Sequence, residues 1–153
     1  MGRSASRGAV IEEITGDLLR PAPGVGPQIL VVTAGPGTGK THLLRRLVTA
    51  VPERVHWATA DELSWRRPFS LAADLLHLPP GPRSPEVCPA ALHRAVDEHC
   101  AHGPLLLVID DAHHADAASL EFLGDLAGRA PALPIRIVVA RRHLPARERL
   151  TRL

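Results

Sequence analysis

Lysine is all but missing from this chain: of its eighteen Lys and Arg residues seventeen are arginine, and Lys40 is the only lysine in 153 residues. Asparagine and tyrosine are absent, and glutamine occurs once, as Gln28. The bias fits the codon usage of a GC-rich genome. Against it, Lys40 marks a position that needs a compact point charge and does not suit a planar arginine fork. The only cysteines, Cys88 and Cys100, form no Cys-x-x-Cys spacing, which argues against a zinc knuckle or a disulfide framework. No apolar run reaches the length of a membrane span, and the opening MGRSASRGAV carries no hydrophobic signal-peptide core. An excess of one charge is missing too: eighteen basic against sixteen acidic residues leave a net charge of +2. That balance is too even to require a nucleic-acid or acidic-membrane partner. A soluble cytoplasmic chain is the expectation.

What is present is a globular composition, 45% hydrophobic and 22% charged, which excludes wholesale disorder. The length suits one compact domain. Residues 1–27 hold a short apolar stretch, Val10 to Leu19, and then a Pro/Gly-rich linker that ends at Pro27. Gln28 to Thr33 is a continuous apolar run suited to a strand covered on both faces. A Gly-rich turn follows, then helical spacing from Lys40 to Val51 with Leu43, Leu44, Leu47 and Val48 on one side. Residues 55–60 form a weaker strand candidate. Leu71 to Leu78 has a helical pattern, and the prolines at 79, 80, 82, 85 and 89 make the next stretch a loop. Ala91 to His102 returns to helix and stops at Gly103-Pro104. Leu105 to Ile109 is the second strong buried strand, and Asp116 is placed to cap a helix running to about Arg129. Residues 135–140 form the last strand, and the tail reads as helical from about Ala146. There is no internal repeat.

Strands alternating with helices predict an α/β fold, a parallel sheet with helices on both faces. Two segments in it carry chemistry. The first, Ala34-Gly-Pro-Gly-Thr-Gly-Lys-Thr41, lies between the first strand and its helix and fits the phosphate-binding P-loop, with Ala34 where the strict pattern has Gly. Gly35, Gly37 and Gly39 let the backbone curl around phosphate oxygens, and the helix that follows adds its positive end. The expected nucleotide contacts are Ala34, Gly35, Pro36, Gly37, Thr38, Gly39, Lys40, Thr41 and His42. Lys40 reaches the β/γ-phosphates, and the Thr41 hydroxyl ligates Mg2+. The second segment is Leu105-Leu-Leu-Val-Ile-Asp-Asp111, an apolar strand ending in two carboxylates. Such a strand delivers Asp110 to the carboxyl edge of the sheet, where it serves as the second Mg2+ ligand, and Asp111 beside it is placed to orient or deprotonate a water. These residues leave ATP versus GTP open.

Val108-Ile-Asp-Asp-Ala-His-His-Ala-Asp116 followed by Ser119-Leu120 resembles the second nucleotide motif of the AAA-like signal-transduction (STAND) P-loop ATPases. The likeness is closest to the ATPase domain of large LuxR-type transcriptional regulators. Asp110, Asp111, His113, Asp116 and Ser119 match, His114 stands where that family usually has Trp, and Arg67-Pro-Phe69 is similar to its Pro-Phe segment. The resemblance covers roughly residues 28–142. It implies a P-loop NTPase three-layer sandwich, ATP and Mg2+ as ligands, slow hydrolysis, and use of the nucleotide as a conformational switch. It also implies an arginine sensing the γ-phosphate at the end of the fourth strand, a place filled by Arg141 or Arg142. Relatives with an asparagine sensor are excluded by the absence of Asn. With Lys40, Asp111 and Arg141 as the catalytic set, the chain divides into an N-terminal segment and linker (1–27), the ATPase core (28–142) and a basic tail (143–153).

Thirteen residues follow Ala140 and none reads as a strand, so the expectation is an incomplete core of four strands without a lid. Regulatory and DNA-binding domains would then lie outside this chain. Two other readings remain: a small-molecule kinase that uses Asp111 as base, with Arg66-Arg67 its one lid candidate, and a non-catalytic nucleotide-binding fragment acting through a partner chain. His113 and His114 lack a third metal ligand of suitable spacing, which favours packing or indirect contact. The tail arginines 141, 142, 147, 149 and 152 are interrupted by Glu148. They read as a solvated helix face, not a nucleic-acid contact. Oligomerisation is compatible with the family.

Overall fold

Buried parallel strands are apolar on successive residues because helices cover both faces; the run Leu105–Asp110 is buried throughout as expected, whereas the run Gln28–Ala34, expected to be covered on both faces, lies at the edge of the sheet with Ile29 and Val31 exposed. A computed structural model describes residues 28–79, 87–129 and 133–142. Among these, β1 (Gln28–Ala34), α1 (Lys40–Ala50), β2 (Arg54–Thr59), α2 (Ser70–Leu75), α3 (Pro89–Ala101), β3 (Leu105–Asp110), α4 (Ala117–Arg129) and β4 (Ile135–Arg142) follow one another, with short 3-10 turns at Ser64–Arg66 and Ala112–His114. The segment 1–27 and the tail 143–153, with its expected helix, lie outside the described residues.

The strands form one parallel sheet in the order β1-β4-β3-β2. All six residues of β3 are buried, and they alternate between two layers. Leu106 and Val108 pack with Leu44 and Leu47 of α1 on one face. Leu105, Leu107 and Ile109 join Leu71, Leu75, Leu92, Val96, Phe122 and Leu126 of α2, α3 and α4 on the other. This is the expected three-layer α/β architecture with a four-stranded parallel sheet, consistent with an incomplete P-loop NTPase core. No helix among the described residues is long and apolar enough to cross a membrane.

One helix ends sooner than its sequence pattern. The apolar spacing from Leu71 to Leu78 predicts a longer helix, yet α2 stops at Leu75 because His77 turns into the left-handed region at φ 56. The Leu78 amide bonds Ala73 O at 2.9 Å and the His77 amide bonds Asp74 O at 3.2 Å. This double closure usually employs glycine at the left-handed position. His77 takes that position while its ring stacks on His56, with centroids 4.3 Å apart. His56 Nδ1 lies 3.0 Å from Leu75 O and His99 Nε2 lies 3.1 Å from Leu76 O. A carbonyl only accepts, so these two rings donate to the carbonyls that close α2. The Arg54 guanidinium in turn donates to His99 O.

A buried carboxylate ties the other end of α2 to α4. Asp116, 4% exposed, caps α4 by accepting from the Ser119 amide at 2.8 Å. The same side chain accepts from the Phe69 and Leu71 amides at 2.8 and 3.2 Å and from Ser119 Oγ at 2.7 Å. Ser119 Oγ then accepts from the Ala72 amide at 3.0 Å. One carboxylate therefore serves two helix N-termini, although the sequence suggests only its own.

Two expectations follow. Asp116→Ala strands several buried amides at once and should lower unfolding free energy by about 3 kcal/mol in urea denaturation, with Asp116→Asn losing clearly less. The second concerns pH. Burial, followed by the neighbouring His77 and His99, holds His56 below its ordinary pKa of 6.5. The unfolded chain then binds more protons between those two values, so stability is present above about pH 6.5 and falls as pH drops through the folded-state pKa. Thermal unfolding midpoints of wild type should decline below that pH, and His56→Phe should flatten the decline.

Candidate functional site

β1 ends at Ala34 and α1 begins at Lys40, so five residues must reverse the chain from sheet edge to helix. Gly37 and Gly39 do so with φ of 69 and 81, a region that penalises side chains with a Cβ. Thr38 Oγ1 donates to Gly35 O at 2.8 Å and closes the loop on itself. No side chain caps α1, which leaves its first-turn amides without a side-chain partner at the positive end of the helix.

Lys40 is 9% exposed, and its Nζ donates to Gly35 O at 2.7 Å and Ala34 O at 3.2 Å. The ammonium thus lies folded over the loop, held by carbonyls. No carboxylate among the described residues pairs with it. An ammonium so placed keeps a third donor for an anion.

Asp110 is 2% exposed at the end of β3. Its Oδ2 accepts from Thr41 Oγ1 at 2.6 Å, and its Oδ1 accepts from the Asp111 amide at 2.9 Å. A carboxylate has about four acceptor positions. Asp116 fills its own from inside the fold, whereas Asp110 receives two donors. That difference separates a structural carboxylate from one with capacity for a ligand. Thr41 Oγ1 and Asp110 Oδ2 are hard oxygen donors in contact, the set that Mg2+ prefers, and the residues present fit the ion that a P-loop implies.

β4 lies between β1 and β3 and pairs Arg141 with Thr33 and Arg142 with Ala34. Arg141 is exposed, and its Nε donates to Thr33 Oγ1 at 3.4 Å. The arginine expected to reach a γ-phosphate thus rests on Thr33, one residue before the end of β1. His42 is exposed on the first turn of α1.

After Asp110 the backbone turns sharply. Asp111 adopts φ 50 and is half-buried, and the Ala112–His114 turn follows it. The His113 and His114 rings lie 4.0 Å apart, and His114 Nε2 sits 3.6 Å from Glu62 Oε1. Burial and then His114 push the His113 pKa down, with Asp111 opposing. Both His113 ring nitrogens are shielded from solvent without a hydrogen-bond partner. No group of three or more His, Cys, Asp or Glu side chains among the described residues is placed to hold a metal ion. Sequence spacing assigned His113 no role of its own, and its unpaired nitrogens emerge only in three dimensions.

A parallel sheet whose first strand enters a glycine loop, with a buried carboxylate against the loop's threonine, defines the P-loop nucleotide-binding class. The chain belongs to the AAA ATPase domain family, whose model matches residues 3–139. No curated protein matches it. Among solved structures it is similar to Cdc6p from Pyrobaculum aerophilum, with 22% identity and a TM-score of 0.58 over 94% of this chain and 40% of that one. It is also similar to Drosophila ORC bound to DNA, with 20% identity and a TM-score of 0.60 over 92% of this chain and 38% of the other. The chain spans about two fifths of the length of these structures. At such identity the likeness speaks for the fold.

The loop geometry makes a prediction that needs no ligand. A Cβ at Gly37 meets nothing within 4 Å but would sit at φ 69, whereas a Cβ at Gly35 meets Thr38 Cγ2 at an ordinary 3.7 Å. Gly37→Ala should therefore lower stability by about 1 kcal/mol through backbone strain alone. Gly35→Ala should stay near wild type in the same thermal unfolding series.

Proposed function

We propose that this AAA ATPase-like nucleotide-binding domain is an ATP-driven switch of a cytoplasmic LuxR-type or related STAND regulator, with slow hydrolysis resetting it. The observation that carries the nucleotide reading is the 2.6 Å hydrogen bond between Thr41 Oγ1 and Asp110 Oδ2, side chains 69 residues apart in sequence. Residues 28–142 form the nucleotide core in this reading, flanked by the segments 1–27 and 143–153. Lys40 leaves the loop carbonyls for the β/γ-phosphates, and loop amides contribute further donors. Thr41 and Asp110 hold Mg2+, which when bound supplies positive charge to the phosphate oxygens. Asp111 orients or accepts a proton from the attacking water, and Arg141 swings from Thr33 to the terminal phosphate.

Support for the regulator assignment comes from the run Asp110, Asp111, His113, Asp116 and Ser119, which resembles the LuxR-type ATPase motif. In this reading the signal-sensing and DNA-binding parts belong to domains beyond the nucleotide core, oligomerisation couples nucleotide state to output, and the core itself makes no direct nucleic-acid contact.

Mg-ATP at a hundredfold excess over its Kd should stabilise the wild-type chain by about 2.7 kcal/mol. Lys40→Ala should abolish that shift while its unliganded stability stays within about 1 kcal/mol of wild type. In the same titration Asp110→Asn should weaken the magnesium dependence of binding, because one anionic hard ligand becomes neutral. Equal ATP shifts in wild type and Lys40→Ala would count decisively against this function.

A further inference from the structure

The turn after β3 carries two unfavourable features on nearby residues. Asp111 adopts the left-handed conformation, and both ring nitrogens of His113 are cut off from water with no partner among the described residues. Buried polar atoms in folded proteins are nearly always paired, so an unpaired one calls for a physical reason. An apolar side chain would occupy the same place without the penalty. Strain of this kind concentrates where a ligand or a switch completes the arrangement.

The surroundings indicate what completes it. The turn leaves the carboxyl end of β3 beside Asp110, on the edge of the sheet that carries the glycine loop. The Ala112–His114 turn packs against β4, whose Arg142 pairs with Ala34 where β1 enters the glycine loop. An imidazole keeps at least one N–H donor in every protonation state. A donor at this end of the sheet is matched by an anionic oxygen, because the glycine loop there carries Lys40 and is suited to phosphate.

Resting on the nucleotide-binding reading above, we infer that His113 contacts the terminal phosphate of a bound nucleoside triphosphate and lets the site distinguish triphosphate from diphosphate. Its ring N–H donates to a γ-phosphate oxygen, a bond that no diphosphate can accept. The ring reaches that oxygen by rotating away from His114, against which it rests at 4.0 Å with the planes tilted 45°. Triphosphate binding thereby supplies the missing hydrogen bond and changes the conformation of the turn, whereas diphosphate binding leaves both as they are. This role differs from that of Asp111, which acts on water, and from that of Lys40, which also meets the β-phosphate.

The test uses the full chain, with Mg-ADP and a Mg-bound non-hydrolysable ATP analogue titrated separately by calorimetry and unliganded stability measured by thermal unfolding. His113→Leu should leave ADP affinity within about twofold of wild type and weaken the triphosphate analogue on the order of tenfold, the scale of one hydrogen bond to a charged oxygen. Its unliganded melting temperature should equal or exceed that of wild type, because the leucine leaves no unpaired nitrogen. His113→Gln, which keeps a donor, should recover part of the triphosphate preference. His113→Ala removes the ring without adding bulk, and should lose the same preference should leucine not be accommodated. A histidine that only packs predicts the reverse: a lower melting temperature and both affinities moving together. That result, or an unchanged triphosphate-to-diphosphate ratio in the variants of a wild type that binds both, overturns this inference alone. A wild-type chain that binds neither nucleotide overturns the proposed function, and this inference with it.

Discussion

A carboxylate at 2% exposure has almost no water to hold it, and Asp110 is such a group. β3 is buried on both faces, so its final residue arrives at the sheet edge already desolvated and must find its partners inside the protein. It takes the Thr41 hydroxyl from the first turn of α1 and the amide of its own successor. Much of the molecule is arranged around meeting that requirement. Leu44 and Leu47 fix α1 against Leu106 and Val108, and the same docking brings Thr41 to Asp110. The apolar core and the polar site are thus one structure, and a change that shifts α1 on the sheet moves both.

Two buried aspartates show how the fold divides its polar groups. Asp116 takes two donors on each oxygen, all from within the chain, and joins α4 to α2. Asp110 takes one donor on each oxygen and keeps acceptor capacity where the glycine loop opens. They lie six positions apart, Asp110 as the last residue of β3 and Asp116 beyond the turn that follows it. Burial cannot tell them apart, but the number of donors each receives can. In the Ala112–His114 turn between them, both ring nitrogens of His113 are shielded with no donor or acceptor to answer them.

Much of the fold was legible because it rests on local rules. Apolar runs of strand length gave β1 and β3, 3.6-residue spacing gave α1 and α4, and the glycines with Lys40 and Thr41 gave the phosphate loop. The middle was harder to read. α2 is closed by a histidine in a conformation normally reserved for glycine, and the ring of that histidine stacks on His56, twenty-one positions earlier in the chain. α3 starts two residues ahead of its apolar pattern, at Pro89, because proline suits a first helical position. The Arg141 side chain was expected at the phosphate end of the site and rests on Thr33, its partner across the β1–β4 pair.

The sequence by itself determined the α/β class, the phosphate loop and the identity of the two carboxylates after β3, since each depends on residues within about a dozen positions of one another. Only the tertiary structure decided that β4 enters between β1 and β3, that Thr41 meets Asp110, and that Asp116 serves two helices. It also left both ring nitrogens of His113 shielded and unpaired. Those outcomes depend on the path by which distant segments return to one edge of the sheet. Loop closure over tens of residues is compensated by burial summed over the whole core, and no local spacing records that sum.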